Sequence, residues 1–350
     1  MDFRLTDEQS MLVDTARTLF ERECPRRLVR ASGDDPEPAR ELFEKHLRDW
    51  VVLGAGGVTA LTLFLIEAGA AVAPGPYLAT AGLFAPLLAA AEHPLAEVAA
   101  SGDTTGTVAV AGPDGVWMPS SMATRSQVID LPLVDHVAVV SGAGDGVTCA
   151  VLERGSLRAR QVETMDLARS TSTVEVPDSL DAESLDLDVF TAWRERATLA
   201  VAAELVGCGR WLVDAAVAYA GEREQFGHAI GSYQAVQHRI VDMALAQQEA
   251  AAAVAYAAMA IDADDPDRRR AVHVAKARAG QAARQAAKGS LQVHGGIGYT
   301  WEHDLHLRLR RAYADDALLG TAESHLDALA ALIFGSAGSA RSAEHDTGVR

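Results

Sequence analysis

Arg223, Gln225, Phe226 and Gln234 crowd into the run 223–237 (REQFGHAIGSYQAVQ), which places a fixed cation, two amides and a ring in one short connection. A guanidinium makes paired contacts to phosphate oxygens, and amides read ring or ribose edges, so the set suits a phosphate or a nucleotide. The same residues also serve in an ordinary solvated helix connection. Residue chemistry alone leaves both readings open. Later, Gly295, Gly296 and Gly298 fall in the run 292–299 (QVHGGIGY) and predict a tight loop, whose plain reading is a turn between helices. His294, His303, His306 and His325 gather near the same end of the chain. His303 and His306 are three residues apart in WEHDLHLRL, a spacing that metal sites use. No second ligand pair at that spacing accompanies them, so we expect helix-surface or interface histidines and no metal.

The elements that carry these residues read as helices. Apolar residues recur at Leu199, Ala202, Ala203, Val206, Val213 and Ala216, then at Val236, Ile240, Met243, Ala246, Ala250 and Val254, in steps of three and four. Gly227 and Gly231 are helix-stop residues and Ser232 can cap the helix that follows. This predicts helices over 185–223, from Val236 to Ile261, and over 268–293, with DADDPD (262–267) as a break. At the other end, Thr6 and Gln9 form a capping-box pattern leading into a helix through Leu12, Ala16, Leu19 and Phe20. Further helices are expected over 39–49, 61–72 and 81–91. Between the helical portions lie short β-branched runs at 107–111, 115–118, 127–130, 136–140, 147–152 and 172–176, bounded by Gly, Pro, Asp and Ser as antiparallel strands are. The expected fold is mainly α with a small β insert: an N-terminal helical domain (1–103), a middle antiparallel β domain (104–184), a C-terminal four-helix bundle (185–334) and a disordered polar tail (335–350).

The 350 residues carry a net charge of −17, from 31 basic and 48 acidic side chains. That excludes nucleic acid or an anionic membrane as the main partner, since phosphate binding needs clustered Lys and Arg. Cys24, Cys149 and Cys208 lie far apart, as reduced buried thiols of a cytoplasmic protein do, and no signal-peptide pattern precedes the first helix. The stretch 50–73 is apolar and long enough to span a bilayer, but it contains Glu67 and several glycines; we expect a buried helix instead.

The run REQFGHAIGSYQAVQHRIVDMA resembles the signature loop of the acyl-CoA dehydrogenase family, and QVHGGIGY resembles that family's late glycine motif. The similarity is good from about Leu199 to about Thr321, loose in the middle and patchy in the N-terminal third. It implies an order of helical domain, β domain and four-helix bundle. It also implies FAD as cofactor, an acyl-CoA thioester as substrate and electron-transfer flavoprotein as acceptor. In family terms Arg223, Gln225, Phe226 and Gln234 reach across a dimer interface to the ADP half of a neighbour's FAD, and Gln292, Gly295 and Gly296 let backbone approach the same flavin.

The catalytic glutamate of the family precedes a Gly-Thr pair. Here that pair is Gly320-Thr321, and Leu319 stands in the place of the acid. The alternative position used by some relatives holds Ala197. Glu195 and Glu204 are the nearest acids on the first bundle helix, and Asp315, Asp316 and Glu323 lie near Leu319. The plain reading of all five is a solvated or helix-facing charge. The β-domain turn 110–115 offers little polar equipment for a flavin ring; Trp117 could stack there, although a strand tryptophan also fits a core. Some actinobacterial members that shorten steroid side chains are heterotetramers in which one chain supplies the glutamate and the other completes the flavin site. This chain resembles the second kind. A self-sufficient homotetramer with a relocated base, and a non-catalytic acyl-CoA-binding or scaffold relative, are the alternatives.

Overall fold

The computed structural model describes residues 3–143, 146–177 and 179–345. Helix α1 (Asp7–Glu23) opens on the expected box: Thr6 accepts the Gln9 N–H and the Gln9 side chain accepts the Thr6 N–H. Helices α2 (Arg26–Ala31) and α3 (Glu37–Leu42) follow, the latter running on through a π turn (Phe43–Leu47) and a 3-10 stretch (Arg48–Gly54). Helix α4 (Val58–Ala71) is the apolar stretch at issue above. Leu61, Phe64 and Leu65 are core residues, and Glu67 is paired inside the protein with Arg17 and Arg210. A carboxylate of Asp262, from the far side of the sequence, caps its first free amides at Val58 (2.6 Å) and Thr59 (2.9 Å). A second π turn (Leu78–Phe84) leads into α5 (Ala85–Ala90), and α6 (Ala96–Ala100) closes the helical portion.

The β unit comprises β1 (Gly106–Ala109), β2 (Thr124–Ile129), β3 (His136–Ala143), β4 (Gly146–Glu153), β5 (Arg158–Val162), β6 (Thr171–Glu175) and β7 (Glu183–Leu185). They form two sheets, ordered β1-β3-β4-β7 and β2-β6-β5, that enclose Ala109, Val128, Val137, Val139 and Val174. Three expectations need correcting. The sheet is mixed, because β1 lies parallel to β3 with Gly106 opposite His136. The segment 115–118 is a turn: Gly115 has φ +77° and the Asp114 carboxylate accepts the Val116 N–H at 3.1 Å. Strands β5 and β7 went unread, since β5 is exposed almost throughout and shows no apolar alternation, while β7 has only three residues.

The bundle is built from α7 (Leu187–Glu222), α8 (Gln234–Asp262), α9 (Arg268–His294), α10 (Leu305–Ala317) and α11 (Ala322–His345), with the short hairpin β8 (Glu224–Gln225) and β9 (His228–Ala229) joining α7 to α8. Asp186 caps the 36-residue α7 by accepting the N–H groups of Asp188 and Val189. Helices α4 and α7 cross where Gly69 meets Glu204 and Gly207 meets Ile66. A Cβ on Gly207 would lie 1.9 Å from the Ile66 carbonyl oxygen, so only glycine permits this approach. Ala200 and Ala203 are buried on the same helix, Ala200 beside Gly82 of the second π turn. Ser232 does not cap α8. Tyr233 stands at that position, and the Ser232 hydroxyl donates to the Ala229 carbonyl. Residues 305–335 are long and apolar enough to cross a membrane by composition, but they form two helices broken at Leu319 and Gly320, both at positive φ. Helix α11 continues to His345, past the point where the composition suggested a structureless tail; residues 346–350 lie outside the described residues.

Candidate functional site

The run 223–234 is a hairpin, not the open loop suggested by its glycines. Strands β8 and β9 pair Glu224 with Ala229 and Gln225 with His228. Phe226 and Gly227 occupy the turn at φ +54° and +80°, and positive φ at both central residues is what a type I′ turn requires. A phenylalanine there is strained, and its ring gains nothing inside the chain: Phe226 is 92% exposed. Arg223, Gln225 and Gln234 are exposed too. Among the described residues the Arg223 guanidinium and the Gln234 amide have no side-chain partner, while the Gln225 amide donates to the Glu224 carbonyl at 2.8 Å.

The glycine loop follows α9 as a 3-10 turn (Gly295–Tyr299). Gly295 has φ +59° and ψ −139°, a conformation open to glycine alone, and a Cβ placed on Gly295 or Gly296 would meet nothing within 4 Å. The backbone is therefore open to approach from outside. Gln292 is exposed beside it, as are Tyr299 and Trp301. A satellite core brings this loop and the hairpin to one end of the bundle. Leu212, Ala216, Met243 and Val293 form it, with Ile230, Val236 and Leu291 packed against it. Tyr219 stacks on His294 with centroids 4.5 Å apart. All seven expected cofactor contacts thus share one end, with free polar side chains and bare backbone that fit the ADP half of FAD. FAD, when bound, supplies the electron-accepting ring.

The position of the missing acid lies elsewhere. Leu319 lines a cavity of about 440 Å³ between the β-unit turn at Asp114–Trp117 and the starts of α7 and α9. Glu195, Thr198, His273 and His325 line it as well. The cavity and the hairpin are at opposite ends of α7: from Glu195 to Arg223 the unbroken helix rises about 42 Å, at ~1.5 Å per residue. Leu319 keeps an unusual backbone, φ +60° before Gly320 at +99°. The buried Lys276 ammonium holds that backbone by donating to the Asp316 (2.9 Å) and Gly320 (2.7 Å) carbonyls, and His325 Nε2 lies 3.0 Å from the Leu319 carbonyl. The loop thus keeps this unusual backbone with leucine, which cannot take a proton, at position 319.

Trp117 is core: it is buried and its indole N–H donates to Gln127 at 2.5 Å, although the residue also lines the cavity. Glu195 is buried 3.3 Å from Arg268, and burial pushes its carboxyl up from the usual range against the pull of Arg268 and Arg269. Ala197, at the other expected base position, is wholly buried.

Glu204 is neither solvated nor in the cavity; of the plain reading, the charge facing another helix holds, through Arg311 of α10, and the solvated one does not. It belongs to a buried charge cluster that joins the β unit to the bundle. Arg169 donates to Glu204 (2.7 Å) and to Asp315 (2.6 Å) and lies 3.8 Å from Asp130. Arg311 pairs with Asp166 and lies 4.0 Å from Glu204. Four carboxyls face two guanidinium groups, and burial pushes Asp130 up to about 7 and Asp315 up to about 8. Asp316 is likewise buried, 3.3 Å from Arg284, whereas Glu323 is exposed and paired with the same arginine. Sequence reasoning did not find this cluster; its members are spread from Asp130 to Asp315 and nothing local links them. Among the described residues no group of His, Cys, Asp or Glu could hold a metal. His303 and His306 instead hydrogen-bond backbone atoms of their own turn. The three cysteines are free and buried.

A helical domain, a small two-sheet β unit and a long-helix bundle, with a hairpin and a glycine loop at one bundle end, define a flavin-dependent dehydrogenase architecture. The family model described as acyl-CoA dehydrogenase, C-terminal domain, matches residues 193–334. IpdE2 of Mycolicibacterium smegmatis is 30% identical over 94% of this chain and 100% of that protein. FadE34 of Mycobacterium tuberculosis is 36% identical over 76% of this chain, which spans 37% of that longer protein. The ChsE4-ChsE5 complex of Mycobacterium tuberculosis superposes with a TM-score of 0.82 at 26% identity, covering 94% of this chain and 98% of the matched one. A variant of the Tcur3481-Tcur3483 steroid ACAD gives 0.81 at 25% identity over 95% of this chain and 99% of its own. The chain belongs to the acyl-CoA dehydrogenase family, oxidoreductases that act on CH–CH bonds and use FAD.

Proposed function

We propose that this chain is one subunit of a flavin-dependent acyl-CoA dehydrogenase and that it completes the FAD site of a partner chain rather than supplying the catalytic base. The observation that carries this reading is the separation along α7. The hairpin stands about 42 Å of helix along α7, and the glycine loop about 33 Å along α9, from the cavity that Leu319 lines, farther than one dinucleotide reaches. A nucleotide gripped by Arg223, Gln225, Phe226, Gln234, Gln292, Gly295 and Gly296 therefore belongs to another polypeptide. Leucine at position 319 and alanine at 197 leave this chain's own cavity without an acid at either family position. Two of the similar structures are complexes of two different chains, one of them described as a steroid ACAD, which supports a heteromeric partner and a steroid-type acyl-CoA. Electron-transfer flavoprotein is the proposed acceptor and the cytoplasm the proposed compartment.

Sharing a cofactor makes its binding depend on assembly. Native mass spectrometry of the purified chain, alone and co-expressed with an acyl-CoA dehydrogenase encoded beside it, is expected to find FAD only in the mixed complex. A yellow, active homo-oligomer would sink the proposal. One observation favours a second reading, a self-sufficient homo-oligomer: Glu195 lines the same cavity as Leu319, with its carboxyl pushed upward as a catalytic base requires. Under that reading Glu195→Gln abolishes single-turnover flavin reduction; under the first it leaves the partner's turnover intact.

A further inference from the structure

The cavity beside Leu319 contains one feature that the missing acid does not explain. His273 and His325 lie Nδ1 to Nδ1 at 2.8 Å, and the outer nitrogen of His325 lies 3.0 Å from the Leu319 carbonyl. A carbonyl oxygen only accepts, so His325 Nε2 carries the proton it donates there. Burial keeps both rings neutral: His325 is pushed down to about 3, and His273 to about 4 with Arg194 and Arg269 adding to the effect. A neutral His325 that is protonated at Nε2 has a bare Nδ1, which must accept from His273. The proton of His273 therefore sits on Nδ1, and its Nε2 is left as a lone pair. Among the described residues no group bonds that nitrogen, and the ring lines the cavity. Val116, Trp117, Val272, Leu319 and Ala328 give the cavity apolar surface, while Arg194, Glu195, Thr198 and Arg269 line it with polar groups.

We propose that this cavity still binds an acyl group and selects one that carries a hydroxyl, with His273 Nε2 as the acceptor and His325 as the residue that fixes its tautomer. The inference rests on reading the cavity as this chain's counterpart of the family's acyl site, through Leu319. A fixed, uncharged acceptor favours a donor over a plain methylene. It does not require the chain to turn the ligand over. His325 is a positioning residue: it touches the Leu319 backbone and His273, and it acts on the ligand only through His273.

The test is calorimetric titration of the full-length chain with 3-hydroxybutyryl-CoA and with butyryl-CoA. The hydroxylated thioester is expected to bind about three- to tenfold more tightly, the range of one net hydrogen bond. His273→Phe should erase that preference, while His273→Gln, which retains an acceptor, should restore part of it. Equal binding of the two thioesters by the unaltered chain overturns the proposal and spares the acyl-site reading; binding of neither overturns both. Nitrogen-15 spectra of histidine-labelled protein give a readout independent of ligand. They should show His273 protonated at Nδ1 and bare at Nε2, and the reverse tautomer would overturn the assignment. His325→Gln should shift that tautomer balance, which loss of packing alone would not do.

Discussion

Phe226 shows what a single residue gives up for function. An L-residue in the left-handed region costs on the order of 1–2 kcal/mol relative to its right-handed alternative, and this ring recovers none of that by packing, because it is exposed on a hairpin tip. Nothing in the monomer explains the choice; the contact proposed with a partner chain would. Phe226→Gly should therefore leave the melting temperature of the isolated chain unchanged or slightly raised, since glycine relieves the strain. In the reconstituted complex the same change should lower the FAD retained through gel filtration, read from flavin absorbance per mole of protein. Retention equal to that of the unaltered complex would return the hairpin to an ordinary solvated connection. The types of Arg223, Gln225, Phe226 and Gln234 were legible in the sequence, and so was the chemistry they suit. The turn geometry was not, because Gly227 signals a turn without saying that the residue before it shares the positive φ.

Helices were read well wherever burial is one-sided. The periods of α1, α8 and α9 follow from apolar residues in steps of three and four, whereas α4 is buried on most sides and α7 on every side from Ala197 to Gly209. Strand β5 failed for the opposite reason: a polar edge strand carries no alternation to read. Close crossings lie between these extremes, because a glycine in a helix pattern signals an approach without naming the partner. Gly207 and Gly221 are both on α7 and make the distinction measurable. A Cβ at Gly207 would overlap the Ile66 carbonyl, whereas one at Gly221 would meet nothing within 4 Å. Gly207→Ala should destabilise the chain by at least the ~1–3 kcal/mol of an overpacked core. Gly221→Ala should stabilise it by about 0.5–1 kcal/mol through helix propensity. Denaturant midpoints of the two variants that moved in the same direction would contradict the crossing described for α4 and α7.

At the scale of the whole molecule, the β unit and the bundle are joined by charges that no local pattern announces. Asp130 and Arg169 come from the β unit, Glu204 from α7, and Arg311 and Asp315 from α10, so the cluster exists only once the chain has folded. Its titration has a definite sign. Burial raises the Asp130 carboxyl from 3.8 to about 7, with Arg169 and Arg311 pulling down and Asp166 and Glu204 pushing up. A raised carboxyl holds its proton more tightly in the folded state. Its contribution to stability is therefore complete below about pH 4 and is lost as the pH rises through about 7. His273 and His325, whose folded values are depressed, act in the opposite direction, losing their contribution as the pH falls below the ordinary histidine range. A raw stability profile therefore mixes the two effects, and comparison with a variant separates them. Asp130 has φ +52°, a conformation asparagine tolerates, and both its oxygens lack hydrogen-bond partners, so Asp130→Asn removes the titration with little other disturbance. The variant should match the unaltered chain near pH 4 and exceed it at pH 8, by on the order of 4 kcal/mol for a rise from 3.8 to about 7. Denaturant unfolding of both chains across that range measures the difference. A gap that does not change with pH would mean that Asp130 is ionised throughout that range.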